Sequence, residues 1–521
     1  MEEAEVNELL GLKPKFDVPP AAQRAVARVG VIARSEGGFA SASLAGQPAG
    51  LVRAALEGTR GPLVSRWGHI LLRRALASRL DAPRGMDPVE FAALRASLLN
   101  RMGESQIARA LVQDVDSANY DRALTDAAFD AYLGTGDLLG MCPVRRLNPT
   151  VRDDGDWTLI GAICDAYGGE QRSAQRRLER ALGRGEAPAI DVRLAQRYAG
   201  AAADGNRAVT IEWDGVEELT PWRFALARSL GADLPDELRE GASAGRRFDY
   251  ADVLNPATPL LARVSAADEA GQSGLLSSAA MVDLYSQLFS SDAYGAGDKE
   301  QALQLREAYV ASSPVARLAA MRSLWDAAAD SQGGYGRQVL TAYAAARLPV
   351  LEDLQDGAGD IVASMLAAGL DRNAIRWNSL VDEGGQAWAL LALASPQAQD
   401  RIGSGALDEY VDADGSEDQR KSRFLLAGLA GLDRIDSDTA RDFAERLNVD
   451  LGRQSAWSQR IERAGAYGNP ALVALLAGVG MQGTGWERMT ARHLYHIVRA
   501  LNRAGLSAEA RMIAAEAVAR A

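Results

Sequence analysis

A glycine followed five residues later by an alanine recurs along this chain of 521 residues. An apolar, helix-favouring stretch precedes each glycine and another follows it. The pairs are Gly103 and Ala108, Gly169 and Ala174, Gly369 and Ala374, and Gly505 and Ala510. The glycine marks a turn between two helices, and the small alanine lets the second helix lie close to the first. Recurrence of this unit predicts an array of stacked helix pairs, since each pair buries a surface that it cannot bury alone.

The composition also favours helices. Hydrophobic residues make up 47% of the chain and aromatic residues only 6%, and Ala, Leu and Arg are abundant throughout. Such residues enter a helix at little cost, whereas the few aromatic residues and few runs of Val, Ile and Thr argue against an extensive sheet. A chain of this length exceeds what one hydrophobic core supports, so it forms several domains or a repeat array. We therefore predict an all-α fold.

The clearest unit spans residues 157–182, WTLIGAICDAYGGEQRSAQRRLERAL. Trp157, Ile160, Gly161 and Cys164 stand where a tetratricopeptide repeat has W-x2-L-G-x2-Y. The second half presents a small, large, small series at Ala174, Leu178 and Ala181. The unit resembles a tetratricopeptide repeat, with one extra residue at the turn and a cysteine where an aromatic residue is usual. The resemblance implies a degenerate superhelix of antiparallel helix pairs.

The chain is predicted to divide into a tail and two helical halves. Residues 1–20 form a flexible tail, residues 21–234 and 258–521 form the two halves, and residues 235–257 are a polar connection between them. One stretch departs from the helical pattern. In residues 208–220 apolar and polar side chains alternate before an Asp-Gly pair, which indicates a short β-hairpin. An irregular loop or the start of a helix is the alternative.

Charge and hydropathy exclude several classes of partner. The formal net charge is −12 and the sequence pI about 5.1. The chain as a whole therefore lacks the excess of basic residues that binding to nucleic acid or to an anionic membrane requires. No apolar stretch approaches the roughly 20 residues of a membrane-spanning helix, and no secretory signal pattern is present. We expect a cytoplasmic protein, or a periplasmic one only if an export signal has been removed. Cys142 and Cys164 could form at most one disulfide; Cys164 is expected to be a small buried apolar residue.

Four short patterns resemble known sites, and each lacks a part that its chemistry requires. Residues 478–483, GVGMQG, have no strand before them, and residues 241–245, GASAG, have neither a strand nor a paired histidine. The acidic loop at 412–418 lacks the terminal carboxylates of a calcium loop. His493 and His496 share a helix face but lack a third zinc ligand. We therefore expect no cofactor, no metal and no enzyme activity; a metal enzyme using the two histidines is a further hypothesis.

In its predicted paired helices and its composition rich in Ala, Leu and Arg, the chain also resembles two groups of helical-repeat proteins. One is the superhelical arm of soluble lytic transglycosylases, and the other is a set of uncharacterised helical-repeat proteins of alphaproteobacteria. The transglycosylase family combines a Glu-Ser motif with a nearby Gly-Leu-Met-Gln type motif in one compact domain. Here Glu104-Ser105 is far along the chain from Gly480-Met481-Gln482, so the catalytic acid is not carried over. The resemblance implies a second hypothesis, a cell-envelope factor that acts on or near peptidoglycan.

Two arginine-rich helices are the remaining candidates for function. The second helix of the central unit carries one stripe: Arg172, Arg176, Arg177, Arg180 and Arg184. An earlier pair of helices carries the other: Arg53, Arg66, Arg73, Arg74 and Arg79. Such stripes suit an acidic peptide in a solenoid groove; the alternative is that the arginines solvate an outer face and pair with acids one turn away. The first hypothesis is a non-enzymatic scaffold for an unknown protein partner, with Arg172, Arg176, Arg177 and Arg180 as candidate contacts.

Overall fold

A computed structural model describes residues 26–202, 209–240, 245–328, 334–397 and 401–521. The tail predicted for the first twenty residues lies outside this part of the chain. The described residues are mainly helical, which confirms the predicted all-α fold. None of their helices is long and apolar enough to cross a membrane.

The described residues contain one small sheet, near the start of the chain. Strand β1 (Arg28–Val29) pairs antiparallel with strand β2 (Leu80–Asp81). Residues 209–220 hold a turn at positions 214 and 215 but no strand. The Asp-Gly pair therefore makes the predicted turn, while the two-stranded sheet lies elsewhere and joins segments about fifty residues apart.

In the first part of the chain, most consecutive helices pack against one another. They are α1 (Ala49–Gly58), α2 (Arg66–Ala77), α3 (Pro88–Arg101), α4 (Ser105–Gln113), α5 (Arg122–Gly134), α6 (Cys142–Leu147), α7 (Gly155–Tyr167), α8 (Gln171–Arg184), α9 (Ala189–Gly200) and α10 (Pro221–Leu230). Helices α7 and α8 form the predicted central unit and contact each other along their length.

The middle of the chain continues the helical pattern with shorter elements. They are α11 (Asp236–Glu240), α12 (Gly245–Leu254), α13 (Leu260–Ser265), α14 (Ala267–Ser273), α15 (Ser278–Ser290), α16 (Glu300–Val310), α17 (Pro314–Asp326) and α18 (Gly334–Ala345). The segment 235–257, predicted as a polar connection, thus contains α11 and α12, and it buries Phe248 and Tyr250. The division into two halves stays a prediction.

The last part of the chain completes the array. Its helices are α19 (Ala358–Ala367), α20 (Asp371–Ala374), α21 (Gln386–Ala394), α22 (Ser404–Ala413), α23 (Arg420–Gly431), α24 (Ser437–Arg446), α25 (Ala456–Ala466), α26 (Pro470–Gly480), α27 (Ala491–Arg503) and α28 (Ser507–Arg520). Two short 3-10 helices, Arg34–Glu36 and Ser41–Ser43, precede α1. Others lie between the α-helices at Ser117–Asn119, Leu138–Met141, Glu352–Gly357, Ile375–Leu380, Glu417–Gln419 and Trp486–Arg488.

The four glycine-to-alanine turns share one geometry. Gly103, Gly169, Gly369 and Gly505 have φ of +84°, +90°, +75° and +79°, a left-handed conformation that glycine adopts without steric cost. The residue after each glycine donates its backbone N–H to a carbonyl five residues earlier, in the pairs Glu104 to Leu99, Glu170 to Asp165, Leu370 to Met365 and Leu506 to Leu501. The paired alanines are at most 2% exposed. The recurring spacing therefore marks one structural unit, a glycine-capped helix end followed by a close helix contact.

The first and last helices of the array meet. Helices α1 and α2 pack against α26, and α2 also packs against α28. The backbone N–H of Val64 donates to the Met481 carbonyl at 2.9 Å, and that of Gly483 donates to the Pro62 carbonyl at 2.9 Å. We call this junction, residues 58–67 against residues 481–484 and 516–520, the seam. The array closes on itself, and its largest hydrophobic core runs through residues of both ends.

Candidate functional site

The two cysteines form a disulfide that links α6 to α7. The Cα atoms of Cys142 and Cys164 are 5.4 Å apart, and the bridge closes a loop with a sequence separation of 22. The expectation that Cys164 is only a small buried apolar residue is therefore wrong. The two cysteines meet because α6 folds back onto α7, a contact that the spacing of the cysteines did not indicate.

Trp157 anchors the central unit, as its position in the repeat-like pattern predicts. Its side chain is 2% exposed, and its indole N–H donates to the Pro149 carbonyl at 3.1 Å. The ring of Phe129 meets it edge-on at 6.5 Å, and the Arg145 guanidinium lies 5.4 Å from its centroid. A Cβ at Gly161 would lie 2.9 Å from Arg145 Nη2. Glycine at this position therefore makes room for the arginine that covers the indole.

Three of the four candidate partner contacts form an exposed row on α8. Arg172, Arg176 and Arg180 are exposed, and no carboxylate of the described residues lies within 4 Å of their guanidinium groups. Arg177 faces inward, is half-buried and pairs with Asp165 at 3.0 Å. We call Arg172, Arg176 and Arg180 the α8 row. The structure thus brings three of the predicted residues to one face and assigns the fourth to an internal ion pair.

The second predicted stripe is not a free surface. Arg53 pairs with Glu90, Arg73 with Glu104 and Arg74 with Glu509, at 2.6 Å, 2.9 Å and 2.8 Å. Arg79 donates to the Gly30 carbonyl at 3.2 Å, and Arg66 is only 3% exposed. The alternative interpretation, arginines paired with acids, holds here, but the acids come from other helices rather than from one turn away.

Glu516 of α28 caps the N-terminus of α2 across the seam. Its carboxylate accepts hydrogen bonds from the Ser65 hydroxyl at 2.6 Å and from the backbone N–H groups of Arg66 and Trp67 at 2.8 Å and 3.2 Å. Arg520 adds a 2.7 Å ion pair. The first amides of a helix have no partner within the helix and carry partial positive charge. A buried carboxylate from the last helix of the chain satisfies them.

The Arg66 guanidinium ties the same seam to the middle of the chain. It donates to the carbonyl oxygens of Ala367 and Leu276, each at 3.0 Å, and to that of Gly271. Burial lowers the pKa of Arg66 to about 10, while Tyr335 and Glu516 act in the opposite direction. The guanidinium stays protonated at neutral pH and satisfies carbonyl groups at the C-terminal ends of α14 and α19.

A basic cavity lies beside the seam. It has a volume of about 270 Å³, and its walls come from α2, α3, α12, α14, the end of α28 and the loops of the seam. The charged side chains that line it are Arg60, Arg101, Arg246, Arg247, Arg520 and Glu269. Five arginines against one glutamate give a positive interior in a protein whose formal net charge is −12. None of these five arginines was predicted from the sequence as a contact. They come from distant parts of the sequence, so no local pattern links them.

His69 lies in the wall of this cavity and contacts the Glu-Ser motif. Its Nε2 is 2.8 Å from Glu104 Oε1, and Arg73 pairs with the same oxygen at 2.9 Å. Met481 comes close to the same helix, since its Cε would lie 2.5 Å from a Cβ at Gly68. The fold therefore brings the two separated motifs against the same helix, α2. Glu104 is 5% exposed and ion-paired, which is an arrangement that holds a structural carboxylate rather than a proton donor open to substrate.

The other two histidines have separate partners. His496 Nδ1 lies 2.6 Å from Glu462 Oε1, and His493 Nδ1 lies 2.7 Å from the Thr490 hydroxyl. Burial, followed by the charge of Arg492, lowers the pKa of His493. Within the described ranges, no group of three His, Cys, Asp or Glu side chains is placed to hold a metal ion. Among the described residues, His493 and His496 therefore have no third ligand for the metal site that the enzyme hypothesis requires.

The remaining motifs have structural roles where they are described. Gly478 and Gly480 end α26, where Cβ atoms would lie 2.8 Å from Leu72 and 2.3 Å from Trp457. Residues 241–244 of the GASAG pattern lie outside the described residues. In the acidic loop, burial opposes ionisation of Asp414, but hydrogen bonds from Ser416 and Ser422 dominate and lower its pKa.

Comparison with protein-family models, with curated proteins and with solved structures gives no match to this chain.

Proposed function

We propose that the protein is a non-enzymatic helical-repeat scaffold that binds an acidic segment of a protein partner along the α8 row. The observation that supports this proposal is the exposure of Arg172, Arg176 and Arg180 on one face of α8 without a carboxylate nearby. The arginines of α2, by contrast, are ion-paired or buried. An exposed guanidinium presents a fork of donors that matches a carboxylate.

The spacing of the α8 row suits an extended peptide. Residues four apart on a helix are separated by about 6 Å along its axis. Alternate side chains of an extended strand point the same way and are about 6.6 Å apart. A peptide with an acidic residue at every second position therefore places one carboxylate opposite each arginine. The partner class is an extended segment of alternating acidic residues.

Binding to the α8 row is tested with a labelled peptide, Glu-Ala-Glu-Ala-Glu, followed by fluorescence anisotropy at low ionic strength. We expect saturable binding that weakens as salt rises, because the charges are exposed and screened. In the variant R172E/R176E/R180E the loss of three exposed charge pairs costs about 1 to 3 kcal/mol. This corresponds to roughly 5-fold to 150-fold weaker binding.

The chain offers a matched control for this test. Arg460 and Arg463 of α25 and Arg503 of α27 are also exposed, so R460E/R463E/R503E changes the net charge by the same amount at another place. We expect the Kd of this variant for the peptide to stay within about twofold of that of the unaltered protein. A change of that size reflects the lower net charge of the whole protein. Equal losses in the two triple variants, or no saturable binding, would contradict the proposal.

The disulfide favours a second candidate function, a factor of the cell envelope. Disulfides persist in oxidising compartments and are rare in the cytosol, so the bond between Cys142 and Cys164 argues against the predicted cytoplasmic location. To test for the disulfide, cells are lysed in acid and the thiols of the protein are alkylated either before or after reduction. The masses of the two alkylated samples are then compared. We expect alkylation of both cysteines only after reduction. Alkylation before reduction would place the working protein in a reducing compartment.

A further inference from the structure

Three distant parts of the chain enclose the basic cavity beside the seam. The first part contributes Arg60 and Arg101, the middle contributes Arg246 and Arg247, and the last helix contributes Arg520. Residues 60 and 520 are almost the whole chain apart, and the cavity exists only because the array closes. Any ligand of this cavity therefore contacts both sides of the closure.

Two of the five arginines already have a close carboxylate. Arg246 pairs with Glu269 at 2.9 Å, and Arg520 pairs with Glu516 at 2.7 Å. Glu516 is also occupied by the N-terminal amides of α2. These pairs neutralise part of the charge and hold both guanidinium groups in fixed positions at the cavity wall.

The remaining charge is not matched by hydrogen-bonded carboxylates. Arg247 Nη2 stands 3.7 Å from Asp130 Oδ2, which is longer than a hydrogen bond. Arg101 donates to two carbonyl oxygens, those of Leu56 at 2.7 Å and Thr59 at 3.1 Å, so its positive charge has no anionic hydrogen-bond partner among the described residues.

Arg60 and Arg101 repel each other in this wall. Burial lowers the pKa of Arg101, and the charge of Arg60 lowers it further, against the opposite effect of Glu57. Arg60 is exposed, and its guanidinium makes no ion pair within the described ranges. An anion between the two guanidinium groups relieves their repulsion.

We propose that this cavity binds a small phosphorylated ligand. Guanidinium groups bind phosphate oxygens in pairs and with strong, charge-assisted hydrogen bonds. Arginines that converge from several directions suit a tetrahedral group better than a single planar carboxylate. Tyr250 and Thr484 also line the cavity and carry hydroxyl groups that add neutral donors. A volume of about 270 Å³ is slightly below the usual range for drug-sized ligands, so the ligand is small.

Ligand binding is coupled to closure of the array. The seam supplies Arg60 on one side and Arg520 on the other, so only the closed form offers the complete set of arginines. A ligand that binds the closed form alone stabilises it by mass action. The proposed ligand is thus a second stabiliser of the seam, beside the hydrogen bonds of Glu516 to Ser65, Arg66 and Trp67. This inference is independent of the α8 row.

The test is isothermal titration calorimetry of the full chain with inorganic pyrophosphate, at constant ionic strength set with sodium chloride. Citrate is titrated in parallel, because it carries comparable charge on carboxylates. We expect one pyrophosphate per chain and at least about tenfold weaker binding of citrate, since the geometry favours phosphoryl oxygens. Hydrogen exchange at residues 58–64 and 481–484 should slow when pyrophosphate is present.

Two variants assign the binding to the cavity. Arg60→Gln changes an exposed side chain, and Arg247→Gln removes one whose guanidinium is 3.7 Å from the Asp130 carboxylate, beyond hydrogen-bond distance; both should fold with unchanged circular dichroism. We expect each to weaken pyrophosphate binding at least about tenfold, the size of one lost charge-assisted contact to a phosphate. Arg460→Gln, an equal charge change on α25, should leave it unchanged.

Three results would overturn the inference. The first is heat no greater than that of sodium chloride dilution. The second is tighter binding of citrate than of pyrophosphate, which would assign the cavity to polycarboxylates. The third is an equal effect of Arg60→Gln, Arg247→Gln and Arg460→Gln, which would show general charge attraction. None of these outcomes bears on peptide binding by the α8 row, so the two proposals fail separately.

Discussion

Helices α2 and α8 are both rich in arginine, yet their arginines lie in opposite environments. In α2 the guanidinium groups of Arg66, Arg73 and Arg74 bond to carbonyl and carboxylate groups from distant helices. In α8 the guanidinium groups of Arg172 and Arg176 face solvent. The difference teaches that a basic stripe in sequence says little about a binding surface. A basic helix face stays exposed only if acidic side chains from other helices do not pair with its arginines.

The environments differ because α2 lies at the seam and α8 does not. A buried charge is tolerated only when it is paired and hydrogen-bonded. The acids that pair with α2 come from α28 and from the turn before α4: Glu516, Glu509 and Glu104. Closure of the array brings the two glutamates of α28 there. In α8 only Arg177 pairs with a carboxylate of the described residues, that of Asp165, and Arg172, Arg176 and Arg180 stay exposed.

The largest expected effect tests the seam side of this comparison. Glu516→Ala leaves the first amides of α2 and the Arg520 guanidinium without their shared acceptor. Breaking a buried charge pair on one side costs about 3 to 5 kcal/mol of unfolding free energy. Urea unfolding followed by circular dichroism measures it. A loss below about 1 kcal/mol would mean that the seam does not hold the array closed.

A comparable loss is expected for Trp157→Ala in the unit that contains α8. The variant leaves a cavity between Phe129 and Arg145 and removes the bond to the Pro149 carbonyl. Truncation of a buried tryptophan costs roughly 3 to 5 kcal/mol. Tyr467→Ala is the control, because Tyr467 is 82% exposed, and it should change the unfolding free energy by less than about 0.5 kcal/mol. Similar midpoints for the two variants would show that Trp157 is not an organising residue.

The disulfide gives the α8 region a covalent anchor that the seam lacks. Replacing Cys142 and Cys164 by serine opens a loop with a sequence separation of 22, and the chain-entropy model assigns about 3 kcal/mol to a loop of that size. We expect reduction of the unaltered protein to produce the same loss in urea unfolding. Unequal losses from reduction and from the double variant would show that the serines themselves disturb the packing.

Sequence patterns predicted local features of this fold well. Each of the glycine-to-alanine spacings, at Gly103 and Gly369 for example, forms the expected turn because φ and close packing are set by residues within a few positions. The burial of Trp157 follows from the same local pattern. What is determined by one turn of helix and its neighbour can be derived from the chain itself.

Contacts between residues far apart in the sequence could not be predicted, because no local pattern determines them. The stripe on α2 has the same appearance as that on α8, and partners far along the chain distinguish them, such as Glu509, which pairs with Arg74 from 435 positions away. Without related sequences, nothing in the chain marks Arg60 and Arg520 as neighbours. Two cysteines admit a single disulfide, but their spacing did not indicate that Cys142 and Cys164 would meet.

A smaller effect concerns Asp156, in the first turn of α7. Burial, with the charges of Asp191 and Asp154, raises the pKa of Asp156 to about 6. The folded protein therefore holds a proton that the unfolded chain releases near pH 4, so stability falls as pH rises from about 4 to 6. Asp156→Asn should gain about 1 to 3 kcal/mol at pH 8 and little at pH 4. An equal gain at both pH values would contradict a titration of Asp156.

The smallest effect is expected from the α8 row itself. Arg172, Arg176 and Arg180 have no ion pairs among the described residues and are exposed, so replacing all three by alanine removes no buried contact. Surface substitutions of this kind change the unfolding free energy by less than about 0.5 kcal/mol each, and alanine itself favours a helix. Urea unfolding should therefore show little change, while peptide binding is lost. A large loss of stability instead would place these arginines in the same structural class as those of α2.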